Sequence, residues 1–192
     1  MRAQRRQTLI VATLVLLGFA VSASAQAPTP SAQPAAPANA NIVVENPTYA
    51  SIPLELEVNR PAAEVWKRIG KYCDIGEWLQ IPAGCTILSG KDGEVGAVRS
   101  VANEVLVGKT EFSYTYTQTV RAGRPYNLYH GTLEVRPLTD KTSKIVYTLI
   151  YDNSMLPDDA AREKDKASRS ATFTRAVANM KILAEGGKLT PR

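Results

Sequence analysis

The chain has 192 residues, 44% of them hydrophobic, with 23 lysines and arginines against 18 aspartates and glutamates. That is enough sequence to bury the core of one domain. Its charges are interspersed rather than gathered into the basic stripe of a nucleic-acid-binding surface, so no nucleic acid is expected as a partner. Two cysteines and one histidine fall short of a four-ligand zinc site, and no metal is expected.

Residues 1–25 read as a secretory signal peptide. Arg2, Arg5 and Arg6 supply the positive start, an apolar run follows from Leu9 to Val21, and Ala23-Ser24-Ala25 is a small-x-small cleavage motif before Gln26. An apolar run of that length spans about 20 Å, short of the ~30 Å hydrocarbon core, which argues against a membrane anchor. The Arg5-Arg6 pair raises the twin-arginine route, but Gln7-Thr8-Leu9 fits it loosely and general secretion is favoured. The processed chain is expected to be periplasmic, with no stable membrane span. Three arginines leave with the signal, so 20 basic groups then face 18 acidic ones. In that oxidising compartment Cys73 and Cys85, twelve positions apart, are expected to pair. Closing so short a loop contributes about 2–3 kcal/mol.

Residues 26–50 are expected to be a flexible linker. The stretch 26–41 is almost wholly Ala, Pro, Gln, Ser, Thr and Asn, and lacks the large apolar groups that offset ordering entropy. The folded domain is placed at 51–186 and a tail at 187–192. From Ile52 to Asn59 the chain alternates, with Leu54, Leu56 and Val58 opposite Glu55 and Glu57, as a half-buried strand does. Asn59 is the expected cap of a helix with Pro61 in its first turn and Val65, Trp66 and Ile69 as its apolar stripe, ending at Gly70. A second short helix is expected over Asp74–Leu79, carrying Trp78.

Strands and turns follow. Thr86–Leu88, Ala97–Ala102 and Val105–Val107 read as short strands, with a turn at Gly108-Lys109. Thr110–Val120 alternates clearly, with Phe112, Tyr114 and Tyr116 on one side. Asn127–Arg136 carries Tyr129, Leu133 and Val135 on one face; Lys144–Asp152 carries Ile145, Tyr147, Leu149 and Tyr151. Pro157-Asp158-Asp159 then opens a long helix on which Phe173, Val177, Met180 and Leu183 recur at helical spacing until Gly186-Gly187. Lys164, Lys166, Arg169, Arg175 and Lys181 are assigned mostly to its solvated face.

An antiparallel sheet with one apolar face must be covered, and the last helix is the only long amphipathic element available. A curved sheet around one helix leaves a concavity in which a ligand has room. The runs Pro61-Ala62-Ala63-Glu64-Val65-Trp66, Cys73-Asp74-Ile75, Glu77-Trp78, Gly96-Ala97-Val98-Arg99 and Tyr129–Val135 resemble the START / major birch pollen allergen-like (SRPBCC) superfamily, in its bacterial polyketide cyclase/dehydrase-like branch. The resemblance covers roughly 51–186. It implies an α+β helix-grip fold of about seven antiparallel strands wrapped around the C-terminal helix, with two short helices after the first strand. It departs at Leu79-Gln80-Ile81-Pro82, where relatives often carry His-Pro, and between Val105 and Glu111, which is short.

The ligand class the resemblance implies is a lipid, polyketide or aromatic metabolite. The expected lining is Trp66, Trp78, Phe112, Tyr114, Tyr116, Tyr129, Leu133, Tyr147, Leu149, Tyr151, Phe173, Val177 and Met180. Buried phenols need hydrogen-bond partners, so inward tyrosines suit a cavity better than a sealed core. Core packing is the competing role for the tyrosines and both tryptophans. No nucleophile elbow, phosphate loop or Cys/His pair is present, and no cofactor or catalytic residue is assigned. His130 falls on the outer face by strand parity, and Arg99 reads as a surface residue rather than an anion clamp. The leading expectation is an exported carrier; a polyketide cyclase/aromatase-like enzyme or an envelope interaction module are the alternatives.

Overall fold

The computed structural model describes residues 46–119 and 123–191. The elements run β1 (Tyr49–Val58), α1 (Ala62–Ile69), α2 (Ile75–Trp78), β2 (Ile87–Ser89), β3 (Val98–Arg99), β4 (Glu104–Thr110), β5 (Ser113–Gln118), β6 (Asn127–Pro137), β7 (Ser143–Asp152) and α3 (Asp159–Ala184). The signal-peptide assignment, and the linker assignment up to residue 45, lie outside the described residues. No described helix is long and apolar enough to cross a membrane.

Seven strands form one sheet in the order β1-β7-β6-β5-β4-β3-β2, each antiparallel to its neighbours. The consecutive strands β1 and β2 are the two edges, so α1 and α2 carry the chain from one edge to the other. Register fixes the inner face. Leu54, Tyr147, Leu133 and Tyr114 form one row across four strands; Ile52, Leu149, Gly131, Tyr116 and Leu106 form the next. The alternation of β7 holds throughout, with Ile145, Tyr147, Leu149 and Tyr151 all fully buried. The C-terminal helix covers β1 and packs against α1, α2 and β7. This is the helix-grip arrangement.

Helix α3 is 26 residues long, or about 39 Å. Asp158 caps it by accepting from Ala161 N at 2.7 Å, and Asp159 adds a negative charge to the first turn. Full burial is confined to its C-terminal half, at Phe173, Ala176, Val177, Met180 and Leu183. Lys181, expected on the solvated face, is instead half-buried. Its ammonium donates to the Glu57 carbonyl at 2.9 Å and pairs with Glu185, which in turn accepts from the Asn59 N–H. Asn59 therefore ties β1 to the end of α3. Pro61 takes the N-cap position of α1, and no side chain caps it.

The Gly108-Lys109 turn is a correction. β4 runs straight through both residues with a bulge between Leu106 and Gly108, and the reversal falls at Glu111-Phe112, between the paired Thr110 and Ser113. A bulge and a turn share the same glycine signal in sequence. Phe112 thus sits at a hairpin tip. Cys73 and Cys85 form a disulfide with Cα atoms 5.3 Å apart, tying the start of α2 to the segment entering β2.

Candidate functional site

A cleft of about 430 Å³ opens where the α1–α2 segment faces the β4–β5 hairpin. Trp66, Gly70, Lys71 and Tyr72 line it from the helical side, Asp92 and Gly93 from the β2–β3 loop, and Leu106, Lys109, Thr110, Glu111, Ser113 and Tyr114 from the hairpin. Gly70 is required here by close approach: a Cβ on it would lie 2.4 Å from the Trp66 indole, which folds back over this position. The Trp66 and Tyr114 rings are 5.8 Å apart, and Tyr72 meets Tyr114 edge-on at 5.5 Å. Lys109 reaches across to the Gly93 carbonyl at 2.6 Å and holds the loop against the hairpin. The result is an aromatic wall with two lysines and two carboxylates around it. Its volume falls within the range of small-molecule sites.

Against Tyr72 and Tyr114 lies a buried ion pair. Left-handed Ala102 and Asn103 make a tight turn that brings Glu104 opposite Arg99 on the neighbouring strand. Both side chains are almost wholly inaccessible to solvent. Arg99 donates through Nε to Glu104 at 2.7 Å and through Nη1 to the Tyr72 carbonyl at 2.6 Å; Nη2 is also 2.6 Å from Glu104. Its guanidinium lies between the Tyr72 and Tyr116 rings, 4.3 and 4.5 Å from their centroids. The other Glu104 oxygen accepts from Gln118, and Gln118 accepts from the Tyr126 hydroxyl. Burial pushes the Glu104 carboxyl above its ordinary range, with Arg99 and Gln118 opposing it. The expectation of a surface Arg99 is therefore corrected. Its parity with buried Ala97 was the available signal, but a two-residue strand is too short for alternation to declare itself.

Of the thirteen side chains expected to line a cavity, Trp66 and Tyr114 line this cleft, and Phe112 lies between two residues that do. The other ten pack among themselves as part of the core. Tyr147 stacks on Phe173 at 5.0 Å and meets Trp78 edge-on at 6.0 Å; Tyr116, Tyr129 and Tyr151 form a chain of tilted rings. Leu133, Leu149, Val177 and Met180 fill between them. Tyr116 lies flat over Gly131 of β6, where a Cβ would come within 2.3 Å of its ring. The Tyr116 and Tyr147 hydroxyls bond to each other at 2.7 Å. Those of Tyr72, Tyr114 and Tyr151, and Trp78 Nε1, have no hydrogen-bond partner among the described residues. Tyr72 and Leu106 were missed because one lies in an aperiodic turn and the other beside a bulge.

Arg169 is a second correction. Rather than reaching into solvent, it lies over the Tyr126 and Tyr151 rings at 4.4 and 4.7 Å and is held by Asp165. A guanidinium satisfies its charge on one turn of helix and still covers aromatic surface. His130 is on the outer face, its Nδ1 3.0 Å from the Leu128 carbonyl. Among the described residues no group of three or more His, Cys, Asp or Glu side chains is placed to hold a metal.

Burial raises the hydroxyl pKa of six of the eight tyrosines, Tyr72, Tyr114, Tyr116, Tyr129, Tyr147 and Tyr151, above the ordinary 10.0. The folded state then keeps protons that the unfolded chain releases. Their contribution to stability is complete below about pH 10 and falls as the pH rises past it. In an alkaline titration the phenolate absorbance of these six should rise together with loss of circular dichroism. Six phenolates appearing in a still-folded protein would contradict their burial.

The family model for polyketide cyclase / dehydrase and lipid transport matches residues 50–185. Comparison with curated proteins gives no sequence match. Among solved structures, a protein from Thermobifida fusca studied by solution NMR is 24% identical, covering 74% of this chain and 99% of its own, with a TM-score of 0.59. The aromatase/cyclase Zhui from a Streptomyces species is 16% identical over 73% of this chain and 99% of its own, TM-score 0.55. Norcoclaurine synthase from Thalictrum flavum is 16% identical over 77% of this chain and 100% of its own, TM-score 0.54. At these identities the structures share a fold with this chain. The match over residues 50–185 goes further: the chain belongs to the polyketide cyclase / dehydrase and lipid transport family.

Proposed function

We propose that this chain is an exported carrier that holds a hydrophobic small molecule (a lipid, polyketide or aromatic metabolite) in the cleft between the α1–α2 segment and the β4–β5 hairpin. The observation that carries the reading is the cleft of about 430 Å³ walled by Trp66, Tyr72, Leu106 and Tyr114, in a family whose description includes lipid transport. Apolar walls with a few polar groups suit retention of such a molecule. Export rests on the signal-like residues 1–25 and accords with the disulfide, which an oxidising compartment favours. The stretch from 26 up to the start of β1 would serve as the tether, and the binding domain would begin with β1 at Tyr49, two residues before the expected boundary at 51, and run to 186.

The test is native mass spectrometry of the full chain expressed in a bacterial host. Processed protein beginning at Gln26 is expected in the periplasmic fraction, carrying an extractable apolar adduct. Trp66→Ala, which removes one wall, should weaken adduct binding about tenfold in Kd while leaving the circular dichroism spectrum in place; losing ~1.4 kcal/mol of contact is enough for that. Unprocessed chain in the cytoplasm would reject export. Protein that carries no adduct and takes up no apolar compound would reject the carrier.

A further inference from the structure

The disulfide joins two pieces of chain that both border the cleft. Cys73 directly follows Gly70, Lys71 and Tyr72 of the helical wall; Cys85 precedes β2, whose outgoing loop supplies Asp92 and Gly93. The elements around the bridge are also the ones least able to hold themselves in place. α2 has four residues, β2 three and β3 two, lengths at which neither a helix nor a strand pair is stable by itself. β1, β6 and β7, at ten or eleven residues, pair along most of their length, and neither cysteine lies in them.

The two ends of the bridge are anchored differently. Beyond Cys85, the Thr86 N–H donates to Ser100 Oγ at 3.1 Å, and the Thr86 carbonyl accepts from the Ser100 N–H at 2.9 Å. The turn at 71–74 is tied to the strands by the Arg99 bond to the Tyr72 carbonyl and by the bridge itself. The start of α2 lies close against Cys85, since a Cβ on Gly76 would come within 2.9 Å of the Cys85 nitrogen. Two thiol sulfurs require van der Waals separation where a bridge holds them at bonding distance. Opening the bridge therefore pushes this turn away from Cys85 and takes Lys71 and Tyr72 with it. Both cysteines are half-buried, within reach of a small thiol.

We infer that the Cys73–Cys85 bridge is a redox latch on the cleft: closed, it keeps the helical wall in place and the apolar ligand held; reduced by a dithiol, it releases the ligand. One thiolate of the dithiol attacks a bridge sulfur to give a mixed disulfide, and its second thiol displaces the chain. Two electrons and two protons pass to Cys73 and Cys85 while the dithiol closes to its own disulfide. The inference rests on the carrier reading of the cleft and adds to it the means of release.

N-phenyl-1-naphthylamine, an apolar dye that fluoresces out of water, tests the latch on the processed chain. It should bind the oxidised protein saturably and lose about tenfold in affinity once dithiothreitol has opened the bridge, as when the binding-competent arrangement falls to about one-tenth of the molecules. Thiol alkylation with intact mass counts the thiols released, and reoxidation should restore binding. The double variant Cys73→Ser with Cys85→Ser should bind at the reduced level with or without dithiothreitol. Amide hydrogen exchange of the reduced parent should quicken about tenfold or more across 70–76 and 86–96 and hold steady in β5, β6 and β7, a comparison that stands even if the serine variant does not fold. Equal or tighter dye binding after reduction, a bridge that resists dithiothreitol in the folded protein, or exchange quickened across the whole sheet would each overturn the inference and leave the carrier reading in place. Failure of the dye to bind the oxidised protein saturably would overturn both.

Discussion

Replacing Glu104 with leucine should destabilise the protein by about 3–5 kcal/mol, a large share of the stability of a domain this size. The cause is the cation left behind. Arg99 is fully buried, and among the described residues its charged partner is Glu104 on the facing strand. Without the carboxylate, two guanidinium contacts vanish and Gln118 loses its acceptor. Arg99→Met should be costly for the mirror-image reason. The double variant Arg99→Met with Glu104→Leu is expected to recover most of the loss, since an apolar pair of similar volume often equals or exceeds a buried ion pair. Urea unfolding of the four proteins gives the coupling directly. A loss below about 1 kcal/mol for Glu104→Leu would show that the pair is solvated in solution and not the buried one described.

This pair also marks the boundary of what the sequence declares. Strand β7 and the second half of α3 were legible because each repeats its period several times: Tyr147, Leu149 and Tyr151 on one, Phe173, Val177 and Met180 on the other. The start of α3 at Pro157-Asp158-Asp159 was legible because its chemistry is local, although the cap itself, Asp158, is shown only by the structure. β3 has two residues, so Arg99 had no alternation to belong to, and its partner five residues on is set by a turn with two left-handed residues. Which inward side chains border a cleft was not legible for a different reason. Periodicity says which side chains point inward, but not whether their volumes fill the space they point into. Here ten of them largely do, and the cleft described above lies at the hairpin end, beside Tyr72 and Leu106.

Trp78 separates these two kinds of inward residue by experiment. It is fully buried on a four-residue helix, edge-on to Tyr147, which itself stacks on Phe173 of α3. Asn179 of α3 donates to the Trp78 carbonyl at 2.9 Å, so the same residue joins sheet, short helix and long helix. Truncating it to alanine removes the largest side chain of that contact and leaves a void that rigid neighbours on three elements cannot close. Trp78→Ala should therefore cost about 3–5 kcal/mol. Trp78→Phe keeps the edge-on ring and removes an indole N–H that has no partner among the described residues, so its cost should be about 1 kcal/mol. Denaturant midpoints at constant slope measure both. If Trp78 were instead the roof of a ligand cavity, its removal would enlarge an existing space: Trp78→Ala would unfold near the parent's midpoint and take up a bulkier apolar probe. A midpoint lowered by several kcal/mol, with Trp66→Ala nearly neutral for stability yet damaging to binding, is the pattern that places one tryptophan in the core and the other at the site.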